Sequence, residues 1–140
     1  MMDLLSLLPH RPPMRLIHEI VDLLPGEAAV ARRATHADDF YFQGHFPGDP
    51  IVPAVILAEI LAQTGGLAAG APREGEPNSP IALRVVGLGP LKFPTAARAG
   101  DVLEARARVV GQIGGLYKIE GDITVAGRTV AAGAVTLARI

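Results

Sequence analysis

The sequence predicts an α+β fold in which an antiparallel β-sheet wraps around one long central hydrophobic helix, and three observations carry that expectation. The first is the run from Val55 to Ala69, whose few polar residues leave no polar face of the usual width; a helix that is apolar all round is a buried helix. The second is strict alternation: Leu103, Ala105, Ala107 and Val109 against Glu104, Arg106 and Arg108, then Tyr117, Ile119, Ile123 and Val125 against Lys118, Glu120, Asp122 and Thr124. Period two marks half-buried strands. The third is Pro25-Gly26 between two apolar runs, a hairpin signal. Such strands have one face to bury, and the central helix is the element apolar enough to cover it.

In chain order, Asp3 to Leu8 predicts a short helical turn with Asp3 as its N-cap, stopped by Pro9. Met14 to Leu24 and Glu27 to Thr35 predict the first hairpin. Thr35 to Gln43 is polar and then aromatic, ending in Phe40, Tyr41 and Phe42. Gly44, Pro47, Gly48, Pro50 and Pro53 then exclude regular structure until Pro53, whose fixed φ and missing N–H suit a helix start. After the helix, GAPREGEPNSP from Gly70 to Pro80 cannot bury anything and reads as an exposed loop. Ile81 to Val86 predicts a strand. Val102 to Val109, Tyr117 to Val125 and Thr129 to Ala138, joined by turns at Gly111 to Gly115 and Ala126-Gly127, predict an antiparallel meander.

Composition narrows the function classes. The 140 residues, 49% hydrophobic, suffice for a single domain spanning 1–140 with one well-buried core. Thirteen basic residues against fourteen acidic ones, spread along the chain, form no stripe for nucleic acid. The absence of cysteine excludes disulfides, thiolate metal sites and cysteine nucleophiles. The central helix approaches membrane-span length, but Glu59, Gln63, Gly65 and Gly66 interrupt it. MMDLLSLLPHRPP has too little positive charge and too short an apolar run for a signal peptide, so the cytoplasm is the expected location.

Two residues carry the candidate chemistry. Glu59 sits in the apolar helix with Gln63 at i+4 on the same face. A buried carboxylate costs several kcal/mol unless it is paired, so it is either kept for use or satisfied structurally by backbone and Gln63. His45 sits in the glycine- and proline-fixed loop, where a still imidazole can take a proton from carbon and return it; its structural alternative is a ring that bridges the turn. His10, His18 and His36 lack metal-ligand spacing and read as surface or packing residues. Ser6 and Ser79 lie in no nucleophile elbow, and no glycine fingerprint for a dinucleotide or phosphate is present, so no cofactor or metal is expected.

GHFPGDPIVPAVILAEILAQ, with LLPHRPP upstream, resembles the β-hydroxyacyl-acyl-carrier-protein dehydratases of bacterial fatty acid synthesis, strongly from Leu7 to Gly66 and loosely after it. That resemblance implies a hot dog fold and dehydration of 3-hydroxyacyl thioesters to trans-2-enoyl thioesters, with an acyl carrier protein as partner. It implies His45 and Glu59 as the catalytic pair, one from each subunit across a homodimer interface, with trimers of dimers a further possibility for the family. Substrate contacts are expected from the Ala54 backbone N–H at the helix start and from Gly44, Phe46, Val55 and Gln63.

The chain departs from the family pattern in two places. Ala54 replaces the glycine after the proline, keeping the N–H but adding a methyl. Pro94 and Thr95 replace the basic residues expected after Phe93, leaving Lys92 and Arg98 as cations for an acidic carrier. Two rival readings share the fold: an acyl thioesterase, which would activate water rather than remove it, and a non-catalytic acyl-binding or assembly module, which would lose the acid/base pair. The presence of His45 and Glu59 in dehydratase context disfavours the module, and thioesterases of this fold usually lack the GHFPGxP loop that this chain carries.

Overall fold

The computed structural model describes residues 4–140; the cap expected at Asp3 lies outside them. Six strands form one sheet: β1 (Glu19–Leu24), β2 (Ala28–Ala34), β3 (Leu83–Lys92), β4 (Val102–Ile113), β5 (Leu116–Val125) and β6 (Arg128–Arg139). Their order across the sheet is β1-β2-β4-β5-β6-β3, and every neighbouring pair is antiparallel. One helix, α1 (Ala54–Gly70), packs inside the curl and touches all six strands. This is the wrapped-helix architecture expected from the patterning.

The core follows the alternation. Leu103, Ala105 and Ala107 of β4 and Tyr117, Ile119, Ile123 and Val125 of β5 turn inward onto Ile56, Leu57, Ile60 and Leu61 of α1. Glycine sets how closely the sheet can approach. A Cβ on Gly121 would run into the Arg106 carbonyl oxygen, and one on Gly65 would stand 2.8 Å from Ile119 Cγ2. Gly121 thus lets β5 lie against β4, and Gly65 lets α1 settle onto the Ile119 side chain of β5. Ala126 and Gly127 both have positive φ, 48° and 81°, the two-residue geometry whose twist matches the hairpin it closes.

Three boundaries differ from expectation, each for a local reason. β1 begins at Glu19 rather than Met14, because the Gln63 amide takes the preceding backbone: its Nε2 donates to the Met14 carbonyl at 2.7 Å and its Oε1 accepts from the Leu16 N–H at 2.9 Å. β3 extends from Leu83 to Lys92 instead of ending at Val86, since breaks of register between Val85 and Gly87 and between Leu88 and Leu91 let it run on beside β6 past Gly87, Gly89 and Pro90. β4 reaches Ile113, which shortens the turn expected at Gly111 to Gly115 to Gly114-Gly115. The helix is also not buried along its whole length. From Ile56 to Ala68 all residues except Glu59 are buried, whereas Ala54 is exposed and Val55 is 75% exposed. No helix among the described residues is long and apolar enough to cross a membrane.

Candidate active site

The loop before α1 is fixed at both ends. Gly44, Phe46 and Gly48 all have positive φ, 71°, 55° and 94°, so the chain winds tightly around His45. Phe46 adopts that conformation without being glycine, a strained setting of the kind that functional loops retain. The His45 N–H donates to the Phe42 carbonyl at 3.2 Å, and the ring stands edge-on to Phe46 with centroids 4.7 Å apart. On the far side of the loop, Arg98 makes a two-pronged pair with Asp49, Nε to Oδ1 at 2.9 Å and Nη2 to Oδ2 at 3.2 Å, while the Val52 N–H donates to the Ala97 carbonyl at 2.7 Å. Arg98 thus clamps the loop and is no free cation for a carrier, which corrects that part of the sequence reading. The pair raises the guanidinium pKa and lowers that of Asp49 through the same hydrogen bonds and charge contact.

The His45 ring has a backbone partner. Its Nδ1 lies 3.1 Å from the Ile51 carbonyl oxygen. A carbonyl can only accept, so Nδ1 carries the proton and Nε2 presents its lone pair. The ring does bridge the turn, as its structural alternative requires, and the bridge selects the tautomer that a base needs. Shortly downstream, Pro53 caps α1 and its carbonyl accepts from Ile56 and Leu57, leaving the N–H groups of Ala54 and Val55 with no hydrogen-bond partner among the described residues. Those are the free donors of a helix start, aimed outward.

Glu59 lies elsewhere on the chain's surface. Its side chain is 25% exposed, so the carboxylate is half-buried rather than sealed in the core as its sequence context suggested. It opens into a cavity of about 400 Å³ between α1 and β3, whose walls include Gln63, Gly66, Leu83, Val85 and Leu137. Gln63 is buried, ties Met14 and Leu16 to the helix, and donates to Glu59 Oε1 at 3.4 Å. His10, which the sequence assigned to surface or packing, also lines this cavity, with Nε2 3.4 Å from Glu59 Oε1. The signal that could have found it is its position inside the LLPHR segment. Within one chain no hydrogen bond or ion pair among the described residues joins His45 to Glu59, and His45, Gly44, Phe46, Ala54 and Val55 do not line the cavity that holds Glu59 and Gln63.

A further polar cluster anchors the segment leading into the loop. Arg33, 6% exposed, donates to the Tyr41 hydroxyl at 2.9 Å and the Leu16 carbonyl at 3.0 Å, and pairs with Asp39 at 3.2 Å. The Tyr41 hydroxyl in turn donates to Asp39 at 2.6 Å. Burial and that bond hold the Tyr41 phenol far above its ordinary pKa, outweighing the opposing pull of Arg33. Burial pushes the Asp39 carboxyl upward, but bonds from Tyr41, the His36 N–H and Arg33 outweigh it and leave the group below its ordinary value. His18, the other imidazole here, is pushed down by burial and then by the Arg33 charge beside its Nε2.

Residues 8–134 match the model of the FabA-like domain family. The chain is 37% identical over 124 residues, 89% of its length and 84% of the relative's, to the 3-hydroxyacyl-[acyl-carrier-protein] dehydratase FabZ of Chloroflexus aggregans. To the protein of that name from Syntrophotalea carbinolica it is 35% identical over 130 residues, 93% of this chain and 87% of the other. Among solved structures, a chain of the dehydratase heterocomplex ApeI:P from Xenorhabdus doucetiae superposes with a TM-score of 0.80 at 18% identity, covering 100% of this chain and 92% of that one, which is agreement in fold. On the family match and the length and identity of these alignments, the chain belongs to the FabA-like family of hot dog proteins, among the FabZ-type 3-hydroxyacyl-[acyl-carrier-protein] dehydratases.

Proposed function

We propose that this protein is a lyase of fatty acid synthesis that removes water from 3-hydroxyacyl thioesters held on an acyl carrier protein, giving trans-2-enoyl thioesters, and that it works as one domain in a cytoplasmic homodimer. The observation that carries this reading is the complementary state of two separate half-sites. His45 has its Nδ1 engaged by the Ile51 carbonyl and its Nε2 bare, and Glu59 stands in a largely apolar cavity that neither His45 nor the start of α1 lines. A second copy supplies what each half lacks. In support, β3 is an edge strand whose Val86 and Leu88 are exposed, 44% and 61%, beside the Glu59 cavity that Val85 lines; Phe46 and Val55, near His45, are exposed as well, 59% and 75%. Large apolar side chains grouped in this way mark a surface that another chain covers.

In the assembled site His45 Nε2 takes the α-proton, the C2–H electrons form the new double bond, and Glu59 delivers a proton to the departing 3-hydroxyl, which leaves as water. The unpartnered N–H of Ala54 stabilises negative charge on the thioester oxygen. Solvent returns the proton from His45 to Glu59 and resets both. Val55 and Gln63 flank the reacting carbons, Gly44 and Phe46 shape the entry beside His45, and the cavity walls take the acyl chain. Incubating the protein with crotonyl and 3-hydroxybutyryl thioesters, on carrier protein and on coenzyme A, tests this when enoyl absorbance and free thiol are followed separately. Interconversion without thiol release is expected; thiol release without interconversion would mean a thioesterase, and neither would mean a binding module.

A further inference from the structure

The segment ahead of β1 carries an imidazole that the reaction above leaves unused. Its backbone is held firmly. Arg11 folds back so that Nη1 donates to the carbonyls of Leu8 at 3.1 Å, Pro9 at 3.4 Å and His10 at 3.1 Å, and the Ile81 N–H donates to the Leu7 carbonyl at 2.7 Å. Leu7 and Leu8 are buried. The His10 ring is thereby set against Glu59, with Nε2 3.4 Å from Oε1, and its Nδ1 is buried with no partner among the described residues. Gln63 Nε2 approaches the same Oε1, also at 3.4 Å, and no contact among the described residues goes to Oε2.

This asymmetry divides the carboxyl group into two working halves. Oε1 faces donors, so His10 carries its proton on Nε2 and leaves Nδ1 bare. An oxygen that accepts from two sides is the one on which negative charge is best stabilised, and the proton to be given away belongs on the other. Both contacts are longer than a settled hydrogen bond, as catalytic contacts are in unliganded sites, where they tighten on substrate binding.

We propose that His10 is a positioning residue, which together with Gln63 holds Oε1 of Glu59 so that Oε2 presents the proton to the leaving hydroxyl. The proposal rests on the dehydration assigned above. As the C3–O bond breaks, the proton moves from Oε2 to the departing oxygen and water leaves. The charge left on the carboxylate is met by the His10 and Gln63 donors. Removing the imidazole therefore lowers the rate through Glu59.

The experiment uses His10→Leu and His10→Gln, the latter keeping an N–H donor, in the wild-type and Glu59→Gln backgrounds, with thermal midpoints recorded on each preparation. His10→Leu should lower kcat by about tenfold to a hundredfold, the range reached when a reacting group is misplaced by an ångström. His10→Gln should recover most of that loss, and in the Glu59→Gln background His10→Leu should add no further loss. Independently of turnover, the carbon-13 resonance of the Glu59 carboxyl at fixed pH should move in His10→Leu and return in His10→Gln, since the donor facing Oε1 is lost and then restored. An unmoved Glu59 resonance, or an equal rate loss in both backgrounds, would overturn the proposal. A wild-type protein that fails to interconvert hydroxyacyl and enoyl thioesters would defeat the reaction instead, while the resonance would still decide whether His10 holds Glu59. Should the Leu variant not fold, wild type, His10→Gln and His10→Asn are compared by the same resonance, which Asn, too short to reach Oε1, should move.

Discussion

Glu59 is half-buried and its neutral neighbour Gln63 donates to it, so Glu59→Gln keeps shape and burial while removing a charge. Stability should change by no more than about 1 kcal/mol in either direction, because the isosteric amide keeps the oxygen that accepts from Gln63. Turnover should fall on the order of a hundredfold or more, the usual contribution of a positioned acid or base. A denaturant midpoint and a rate measured on the same preparation separate the roles: a clearly destabilised but fully active variant would assign Glu59 to the scaffold. Ala54→Gly makes a second test. The methyl is exposed and the proposed use of the residue is its backbone N–H, so the variant should keep or raise activity at a helix cost of up to about 1 kcal/mol, and a large rate loss in a folded protein would give the methyl itself a role. Glu59 and His45 were legible in the sequence because each stands out against its surroundings, a carboxylate in an apolar helix and an imidazole among glycines and prolines. His10 was passed over although it lies inside the LLPHR segment, since its meaning comes from a contact with a residue 49 positions away.

The helix and the meander were legible for a plain reason: a buried helix and half-buried strands write their periods directly into the chain. The boundaries at β1 and β3 were not. The Gln63 amide satisfies the Met14 and Leu16 backbone that a strand from Met14 would have used, and register breaks let β3 run past glycines and a proline that read as interruptions. Arg98 misled for a similar reason, because the carboxylate that occupies it lies across the fold at Asp49. At this scale the Arg33, Asp39 and Tyr41 cluster ties β2 to the segment that enters the His45 loop, and its titration gives stability a definite pH dependence. Tyr41 holds its proton in the folded state above its ordinary value of 10.0, so the stability it contributes is full below that value and is lost as pH rises beyond it. Asp39, held below its ordinary 3.8, contributes stability that is present above that value and lost as pH falls through it. Denaturant midpoints across the pH range should show both limbs. Tyr41→Phe should abolish the alkaline limb and lower the plateau by about 1–3 kcal/mol, because Arg33 and Asp39 then lose a buried partner. An unchanged alkaline limb would place the titrating group elsewhere.

For the whole molecule, the decisive fact is that His45 and Glu59 do not meet within one chain, although the proposed reaction needs both on one substrate. In the proposed site the loop would offer the base and free helix N–H groups, and the cavity between α1 and β3 the acid and an apolar slot. Joining them across the proposed dimer would make two identical sites, each built from both chains. The most direct measurement of that claim mixes two variants that are inactive alone, His45→Ala and Glu59→Gln, under conditions of demonstrated subunit exchange. In a shared site, each heterodimer has one intact pair, so activity should reappear toward about a quarter of wild type at equal mixing, since half the dimers are mixed and each has one working site of two. Recovery of that kind is the expected result, and no recovery despite exchanged subunits would contradict the account.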